Sequence, residues 1–150
     1  MALVNSKQHI LKPAQIIEIA AEETKEKASL KEVKTLLLKE FSLPGSWKCQ
    51  EGNTIFIVHT SKKPRYGVFR AINADTAQNY LENSKEFAKA AYEVGYDVLI
   101  TQFTDPAILQ IFKAISRNPV QDKMGYVAQK LEHDAGYQVT LMLGPQRGAK

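Results

Sequence analysis

The sequence predicts a single α/β (α+β) domain with a mixed central sheet, in which two N-terminal helices precede a hairpin and an alternation of strands and helices. Three observations predict it. Apolar residues recur at helical spacing in the first third of the chain, alternate with polar residues in the middle, and show both patterns in turn in the second half. The chain has 150 residues, of which 44% are hydrophobic and 24% charged, which is typical of a globular domain with one core.

Composition excludes several classes of protein. The single cysteine, Cys49, cannot form an intramolecular disulfide and cannot build a zinc site on thiolate pairs, and a buried, inert thiol is expected. No two of the three histidines have the i, i+4 spacing of a helical metal site, so no metal is expected. The sequence lacks both an apolar run of the ~18 residues that a membrane-spanning helix needs and a secretory pattern at its start. These features predict a cytoplasmic protein.

Residues 1–46 are predicted to hold two helices. Pro13 suits the first turn of one helix, and Ser29 with Glu32 has the capping-box spacing expected at the start of the other. The apolar stripe of the second helix is expected to contain Leu30, Val33, Leu37 and Phe41, widened by Leu36 and Leu38. Two helices joined by a turn are also found in DNA-binding proteins, but the second helix offers only lysines and no Arg, Asn or Gln to contact base edges.

Residues 47–75 change to a period of two. The runs Thr54–Thr60 and Tyr66–Ile72 are rich in β-branched and aromatic residues and flank a polar turn, which predicts a hairpin. A further strand is predicted at Trp47–Gln50. The turn and the strand after it carry four cations, Lys62, Lys63, Arg65 and Arg70. Such a cluster is typical of a solvated hairpin tip, and it leaves an anionic or nucleic-acid partner as a weaker alternative.

The second half is predicted to contain a strand–helix–strand unit, a further helix and a terminal hairpin. Asp75, with Gln78 three residues later, is expected to cap a long helix that ends at Gly95. The buried face of this helix is expected to comprise Tyr80, Leu81, Ser84, Phe87, Ala88 and Ala91. The remaining elements are expected at Val98–Phe103 (a strand buried on both faces), Pro106–Arg117 (a helix), and Tyr126–Leu131 and Tyr137–Leu143 (a hairpin), with a tail from 144 to 150. The unit from 66 to 103 is expected to be a right-handed parallel crossover.

From residue 47 to 143 this order resembles the fold of the GCN5-related N-acetyltransferase (GNAT) family. The resemblance implies that Tyr66–Ile72 is the central strand, that Thr76–Val94 is the helix whose start holds the pyrophosphate of acetyl-CoA, and that Met124-Gly125-Tyr126 leads into the last strands. The cofactor-binding positions that it implies are Ile72, Asn73, Ala74, Asp75 and Thr76.

The chain departs from the family pattern at two points. The family loop is of the type Arg/Gln-x-x-Gly-x-Gly/Ala, whose small residues let backbone N–H groups approach the phosphates. The stretch 71–76 contains no glycine, and Asp75 is expected to bring a carboxylate to the phosphate position. Phe112 stands where active members often have a tyrosine that acts as general acid. No cofactor is therefore expected.

Two functions follow from this comparison. The favoured one is a GNAT-like protein that acts by protein contact. The alternative is an active acyl-CoA-dependent N-acetyltransferase with an atypical cofactor loop, for which acetyl-CoA would be the cofactor and Glu51 or His59 the available general base.

The chain is also similar to the small GNAT-like internal virion proteins of short-tailed phages, over Tyr96–Ile115 and Met124-Gly125-Tyr126. That resemblance implies other virion proteins as partners, a role in the virion or its assembly, and a location in the host cytoplasm or the virion. Four tyrosines form a candidate contact patch if they are exposed together: Tyr92, Tyr96, Tyr126 and Tyr137.

Overall fold

The computed structural model describes residues 3–5, 7, 9–23, 29–103, 125–130 and 136–144. Its helices are α1 (Pro13–Glu23), α2 (Leu30–Phe41) and α3 (Ala77–Val94), and its strands are β1 (Trp47–Glu51), β2 (Thr54–Thr60), β3 (Tyr66–Asn73), β4 (Val98–Phe103), β5 (Gly125–Lys130) and β6 (Tyr137–Met142). In the part of the chain described, six strands form one sheet in the order β1-β2-β3-β4-β6-β5. Strands β3 and β4 are parallel, whereas β1–β2, β4–β6 and β5–β6 are antiparallel. The predicted α+β class and mixed sheet are confirmed.

The chain divides into two compact units, to both of which β3 and α3 contribute. The first consists of Met1–His59 and Arg70–Phe87, and the second of Thr60–Phe69 and Ala88–Lys150.

The core of the first unit is built around β2. Ile55 and Ile57 belong to an apolar cluster with Ile16 and Ile17 of α1, while Phe56 points to the opposite side of the strand. The Phe56 ring stacks on Phe87 of α3 at a centroid distance of 4.0 Å, and Trp47 of β1 stacks on Phe87 at 6.0 Å. The period-two pattern predicted a strand; the structure buries both of its faces, because helices cover one side and the aromatic stack covers the other.

Helices α1 and α2 begin where the sequence predicts. Pro13 is the first residue of α1. Ser29 is the N-cap of α2, and its Oγ accepts a hydrogen bond from Glu32 N at 3.2 Å. The short-range signals of proline placement and capping residues were therefore sufficient to locate both helix starts.

The apolar stripe of α2 is narrower than predicted. Leu37 is buried, and Val33 and Phe41 pack against the same core. Leu36 is 64% exposed and Leu38 is 39% exposed, as is Leu30. Successive helical residues are rotated by about 100°, so a helix centred on Leu37 turns both of its neighbours away from the core. The predictions that Leu36 and Leu38 widen the buried stripe and that Leu30, the first residue of the helix, belongs to it were wrong.

The core of the second unit lies along β4 and β6. Val98 and Leu99 of β4 are buried, as are Val139 and Leu141 of β6. Strand β4 is buried on both sides only in its first half, because Gln102 near its end is exposed. The predicted helix Pro106–Arg117, with Phe112, lies outside the described residues, as does Met124.

The described residues include no helix that is long and apolar enough to cross a membrane.

Candidate functional site

The candidate site is the connection from the end of β3 to the start of α3, where the resemblance places the cofactor loop. Its backbone N–H groups are bonded within the chain. Ala74 N donates to Asn53 O at 2.9 Å, and Asp75 N donates to the Asn73 Oδ1 atom at 2.9 Å. Thr76 N donates to Val4 O at 3.2 Å and to Asp75 Oδ1 at 3.1 Å. All three amides that follow β3 therefore already have acceptors.

Asp75 is fully buried and is not the cap of α3. The helix begins at Ala77, and Thr76 O accepts its first helical hydrogen bond from Tyr80 N at 2.8 Å. The Asp75 side chain is 0% exposed, and its Oδ2 accepts hydrogen bonds from Asn53 N at 3.0 Å and from Asn83 Nδ2 at 2.9 Å. The capping prediction was wrong because the interior donors Asn53 and Asn83 bind this carboxylate, which therefore lies inside the unit.

Asparagine and threonine side chains extend this arrangement into a buried polar network. Asn83 Nδ2 also donates to Thr54 Oγ1 at 3.1 Å, and Thr54 Oγ1 donates to Asn73 Oδ1 at 2.9 Å. Asn73 Nδ2 in turn donates to Asp75 O at 3.0 Å. Buried polar groups are stable in such a site only when they bond to one another, so the network fixes the position of the loop against β2 and α3.

The buried face of α3 differs from the prediction near its start. Asn79 is 5% exposed and Asn83 is 8% exposed, whereas Leu81, which was predicted to be buried, is only half-buried. Tyr80 retains some exposed surface, but its hydroxyl is buried, and this burial raises the pKa of Tyr80 to about 12. Sequence reasoning missed these asparagines because it counted only apolar side chains. The i, i+4 spacing of Asn79 and Asn83 places both on one helix face and was the available signal.

A segment at the N-terminus crosses the start of α3. We call residues 3–5 the N-terminal strap. Val4 N donates to Ala74 O at 2.8 Å and, with Thr76 N bonded to Val4 O, this forms a parallel bridge opposite Asp75. The Asn5 Oδ1 atom accepts from Asn79 Nδ2 at 2.6 Å. The strap thus covers the backbone of the loop and is tied to the first turn of the helix.

The side chain of Asn53 holds the chain that follows the strap. Its Nδ2 donates to His9 O at 2.8 Å, and its Oδ1 accepts from Leu11 N at 2.8 Å. Gln50 Nε2 donates to Leu11 O at 2.9 Å. Val4 and Asn5 are therefore anchored at the start of α3, and His9 and Leu11 are anchored by side chains of the β1–β2 hairpin.

The amides of the stretch 74–76 are not free to hold a pyrophosphate in this structure. A diphosphate bound at a helix start is held by free backbone N–H groups that small residues leave accessible. Here the amides of Ala74, Asp75 and Thr76 have other acceptors, and Ile72 and Ala74 are 2% and 0% exposed. The resemblance-derived positions Ile72, Asn73, Ala74, Asp75 and Thr76 are thus brought together, but as a buried junction.

The two candidate general bases lie far apart. Glu51 ends β1 opposite Thr54, while His59 lies beyond Val58, which pairs with Trp47 at the other end of the hairpin. At ~3.3 Å per residue, the five-residue separation of Thr54 and His59 along β2 corresponds to roughly 17 Å. The structure therefore does not combine Glu51 and His59 in one site.

Cys49 is a half-buried thiol that remains protonated. Its Sγ donates to Glu51 Oε2 at 3.3 Å. Burial, together with the hydrogen bond to Glu51 and the charge of that carboxylate, raises the pKa of Cys49 to about 12. Since the thiolate is the nucleophilic form, this supports the expectation of an inert thiol. No group of three or more His, Cys, Asp or Glu side chains that could hold a metal ion occurs among the described residues.

Two of the four clustered cations are in ion pairs. Arg65 lies 3.8 Å from Asp97, and Arg70 Nε lies 2.6 Å from Glu40 Oε2. Lys63 Nζ lies 4.3 Å from the centre of the Tyr66 ring. Ion pairing lowers the positive charge available to an anionic partner, so the structure adds no support for nucleic-acid binding at these residues.

Three of the candidate contact tyrosines have partners inside the second unit. The Tyr96 hydroxyl lies 2.7 Å from Thr60 Oγ1, and the Tyr137 ring stacks on Phe103 at 5.8 Å. The Tyr92 ring packs beside Gly144. The side chain of Tyr126 lies outside the described residues.

The fold is similar to that of solved N-acetyltransferases. A chimera of the spermidine N-acetyltransferase SpeG from Vibrio cholerae and hSSAT matches with a TM-score of 0.55 at 9% identity, covering 90% of this chain and 93% of that chain. A point mutant of the Vibrio cholerae spermidine N-acetyltransferase SpeG matches with a TM-score of 0.53 at 8% identity, covering 90% and 94%. No protein-family model and no curated protein sequence matches the chain. The comparison confirms the GNAT-like fold, and fold likeness alone does not assign an activity.

Proposed function

We propose that this chain is a GNAT-like protein that acts by contact with other proteins and does not transfer an acetyl group. One observation carries the proposal: the amides of Ala74, Asp75 and Thr76, which would have to bind the cofactor diphosphate, donate to acceptors of the same chain. A GNAT fold whose loop is closed in this way retains the scaffold and lacks the means to position acetyl-CoA.

The hydrogen bonds of the loop indicate how strongly its closure would weaken the binding of a diphosphate. Binding a diphosphate at the loop requires Ala74 N, Asp75 N and Thr76 N to exchange their present acceptors for phosphate oxygens. Each intramolecular hydrogen bond contributes about 0.5–1.5 kcal/mol, so releasing three costs about 2–4 kcal/mol. That corresponds to a loss of roughly 30-fold to 1,000-fold in affinity, before the repulsion between the diphosphate and the Asp75 carboxylate is counted.

Exposed leucines on α2 support a contact function. Leu36 is 64% exposed, Leu30 and Leu38 are each 39% exposed, and Leu43 just beyond the helix is 39% exposed. At about 100° per residue, Leu36 and Leu38 lie about 160° apart around α2, so these leucines do not form one patch. Leu36, the most exposed of them, is therefore the contact residue that the described part of the chain favours. Replacing Leu36 by Lys is expected to weaken partner binding without lowering the stability of the fold.

Within the contact class, we place the chain among virion or assembly components. Its support is the sequence resemblance to small internal virion proteins together with the missing glycine loop. The test is mass spectrometry of purified particles of the encoding phage. Detection of the chain at a fixed copy number per particle is expected, and its absence from the particles contradicts this part of the proposal.

The closed loop is tested by nuclear magnetic resonance. In a titration with coenzyme A, the amide signals of Ala74, Asp75 and Thr76 are expected to stay unshifted at millimolar ligand. The amide of Gly45, in a turn far along the chain from the loop, serves as the control for non-specific shifts. Saturable shifts confined to residues 74–79 would show that the loop binds the cofactor.

One observation favours the alternative of an active acyl-CoA-dependent N-acetyltransferase. The first turn of α3 contains no acidic residue, and Ala77 and Gln78 are exposed, so one side of this positively polarised helix start is open to solvent. Under this alternative the similarity to spermidine N-acetyltransferases suggests a polyamine as acceptor. The discriminating assay measures acetyl transfer from acetyl-CoA to spermidine, and the contact proposal predicts no product above the uncatalysed rate.

A further inference from the structure

Strand β1 lies at one end of the strand order, and one side of its backbone faces outward. The turn between β1 and β2 has two residues, Gly52 and Asn53, and Gly52 has φ +57° as a type II′ turn requires. Such a turn makes Glu51 and Thr54 a hydrogen-bonded pair, and pairs of this kind alternate along an antiparallel ladder.

The alternation determines which backbone groups of β1 face outward. Trp47, Cys49 and Glu51 bond to β2, so the N–H and C=O groups of Lys48 and Gln50 face away from it. Among the residues that the structure describes, these four backbone groups have no hydrogen-bond partner. An independent contact supports the assignment: Asn53 O accepts from Ala74 N on the far side of β2, as the same alternation demands.

The two side chains that could obstruct this edge are held back by their own chain. Lysine on an edge strand commonly prevents pairing with another strand. Here Lys48 Nζ donates to Leu43 O at 3.1 Å and lies 5.9 Å from the centre of the Phe41 ring. Gln50 Nε2 donates to Leu11 O and to Gly52 O. Both side chains are thus bonded within the first unit.

We propose that β1 pairs in antiparallel fashion with β1 of a second copy of the chain, about a two-fold axis at Cys49. In this register Lys48 and Gln50 of one copy exchange backbone hydrogen bonds with Gln50 and Lys48 of the other, which satisfies all the outward groups. Trp47 lies opposite Glu51 of the second copy, so no like charges are directly opposed. A register centred on Lys48 sets the two lysines against each other, and this favours the axis at Cys49.

This pairing does not depend on the proposed function, because it uses an edge on the opposite side of β2 from the β3–α3 loop. It supplies a symmetric partner, and a C2 pair is the commonest form of homo-oligomer. The occupant is a second copy because, about this axis, the outward backbone groups of Lys48 and Gln50 satisfy one another and no like charges are opposed.

Hydrogen exchange of the full chain tests the pairing. The amides of Lys48 and Gln50 are expected to gain at least tenfold protection as the protein concentration rises, while the amide of Cys49, already bonded to β2, changes little. Sedimentation is expected to show a concentration-dependent rise from 16.8 kDa towards twice that mass. Rapid, concentration-independent exchange at Lys48 and Gln50, or a monomer at all concentrations, overturns the proposal.

A pair of variants isolates the backbone contribution. Gln50→Ala removes only the side chain, whereas Gln50→Pro also removes the outward N–H and leaves the bonds to β2 in place. Gln50→Pro is expected to weaken dimerisation by tenfold or more relative to Gln50→Ala. Equal dimerisation of the two variants overturns the proposal, and if Gln50→Pro fails to fold, the exchange measurement on the unmodified chain decides.

Discussion

Removing the Asp75 carboxylate should destabilise the first unit through the donors that it leaves behind. In Asp75→Ala, Asn83 Nδ2 keeps Thr54 Oγ1 as an acceptor and Thr76 N keeps Val4 O. Asn53 N, which belongs to a residue of 0% exposure, loses the acceptor that holds it. An unsatisfied buried donor costs about 1–3 kcal/mol, and the other two bonds to a charged acceptor are also lost. We expect a total loss of about 3 kcal/mol.

Asp75→Asn should lower the free energy of unfolding less than Asp75→Ala, because the two oxygens of the carboxylate bind different donors. Oδ2 accepts from both Asn53 and Asn83, whereas Thr76 N, which donates to Oδ1, has a second acceptor in Val4 O. An amide with its oxygen at the Oδ2 position keeps the two bonds to interior donors. The expected loss is about 1 kcal/mol.

Urea denaturation followed by circular dichroism measures both losses. The control is Glu82→Ala, since the Glu82 side chain is 57% exposed and forms only an i, i+3 contact with Lys85; its effect should stay within about 0.5 kcal/mol. For a chain of this size a loss of 3 kcal/mol lowers Tm by about 6–12 °C. If Asp75→Ala costs less than about 1 kcal/mol, or if the Ala and Asn variants are equally unstable, the hydrogen-bond account of this network is refuted.

Three further predictions follow from the described contacts. Alkylation of Cys49 at neutral pH should be slow, because a pKa of about 12 instead of 9.0 lowers the thiolate fraction about a thousandfold. Glu51→Gln should accelerate the alkylation, and an unchanged rate in that variant would contradict the role of the carboxylate. In the folded chain the pKa values of Cys49 and Tyr80 are raised from 9.0 and 10.0 to about 12, so the unfolded chain releases these protons first as pH rises. The free energy of unfolding should therefore fall from about pH 9 towards pH 12. Tyr80→Phe should remove the contribution of the tyrosine, and a free energy of unfolding that stays constant over this range would contradict the prediction. Gly52→Ala should destabilise the fold more than Gly45→Ala. Both positions have positive φ, but of the two only Gly52 places an added Cβ close to a side-chain amide, at 2.6 Å from Asn83 Oδ1. Coinciding denaturation curves for the two variants would show that the Asn83 side chain moves away without loss of stability.

The elements were predictable where local chemistry decides them. Pro13, Ser29 and Gly95 mark helix ends through effects confined to a few residues, and the structure places helix boundaries there. The strand Val98–Phe103 was predicted with its observed bounds, because a short apolar run bounded by turn residues is typical of a buried strand.

The site was less predictable because its contacts are distant in sequence. Asp75 has the residue type and spacing of a helix cap, but Asn53, 22 residues earlier, supplies the donor that holds it inside. The strap joins Val4 to Ala74 through backbone atoms, which carry no residue-type signal. Sequence reasoning detected that the stretch 71–76 contains no glycine, because this is a local property of the sequence. It could not detect the distant groups that accept hydrogen bonds from the loop amides.

Calorimetric titration of the chain with acetyl-CoA measures whether the β3–α3 loop binds the cofactor. The spermidine N-acetyltransferase SpeG from Vibrio cholerae, to which the fold is similar, is the matched positive control under the same conditions. With the amides of Ala74, Asp75 and Thr76 already bonded, no heat of binding is expected for this chain up to millimolar ligand. Saturable binding at micromolar acetyl-CoA would contradict the closed loop and would favour the acetyltransferase alternative.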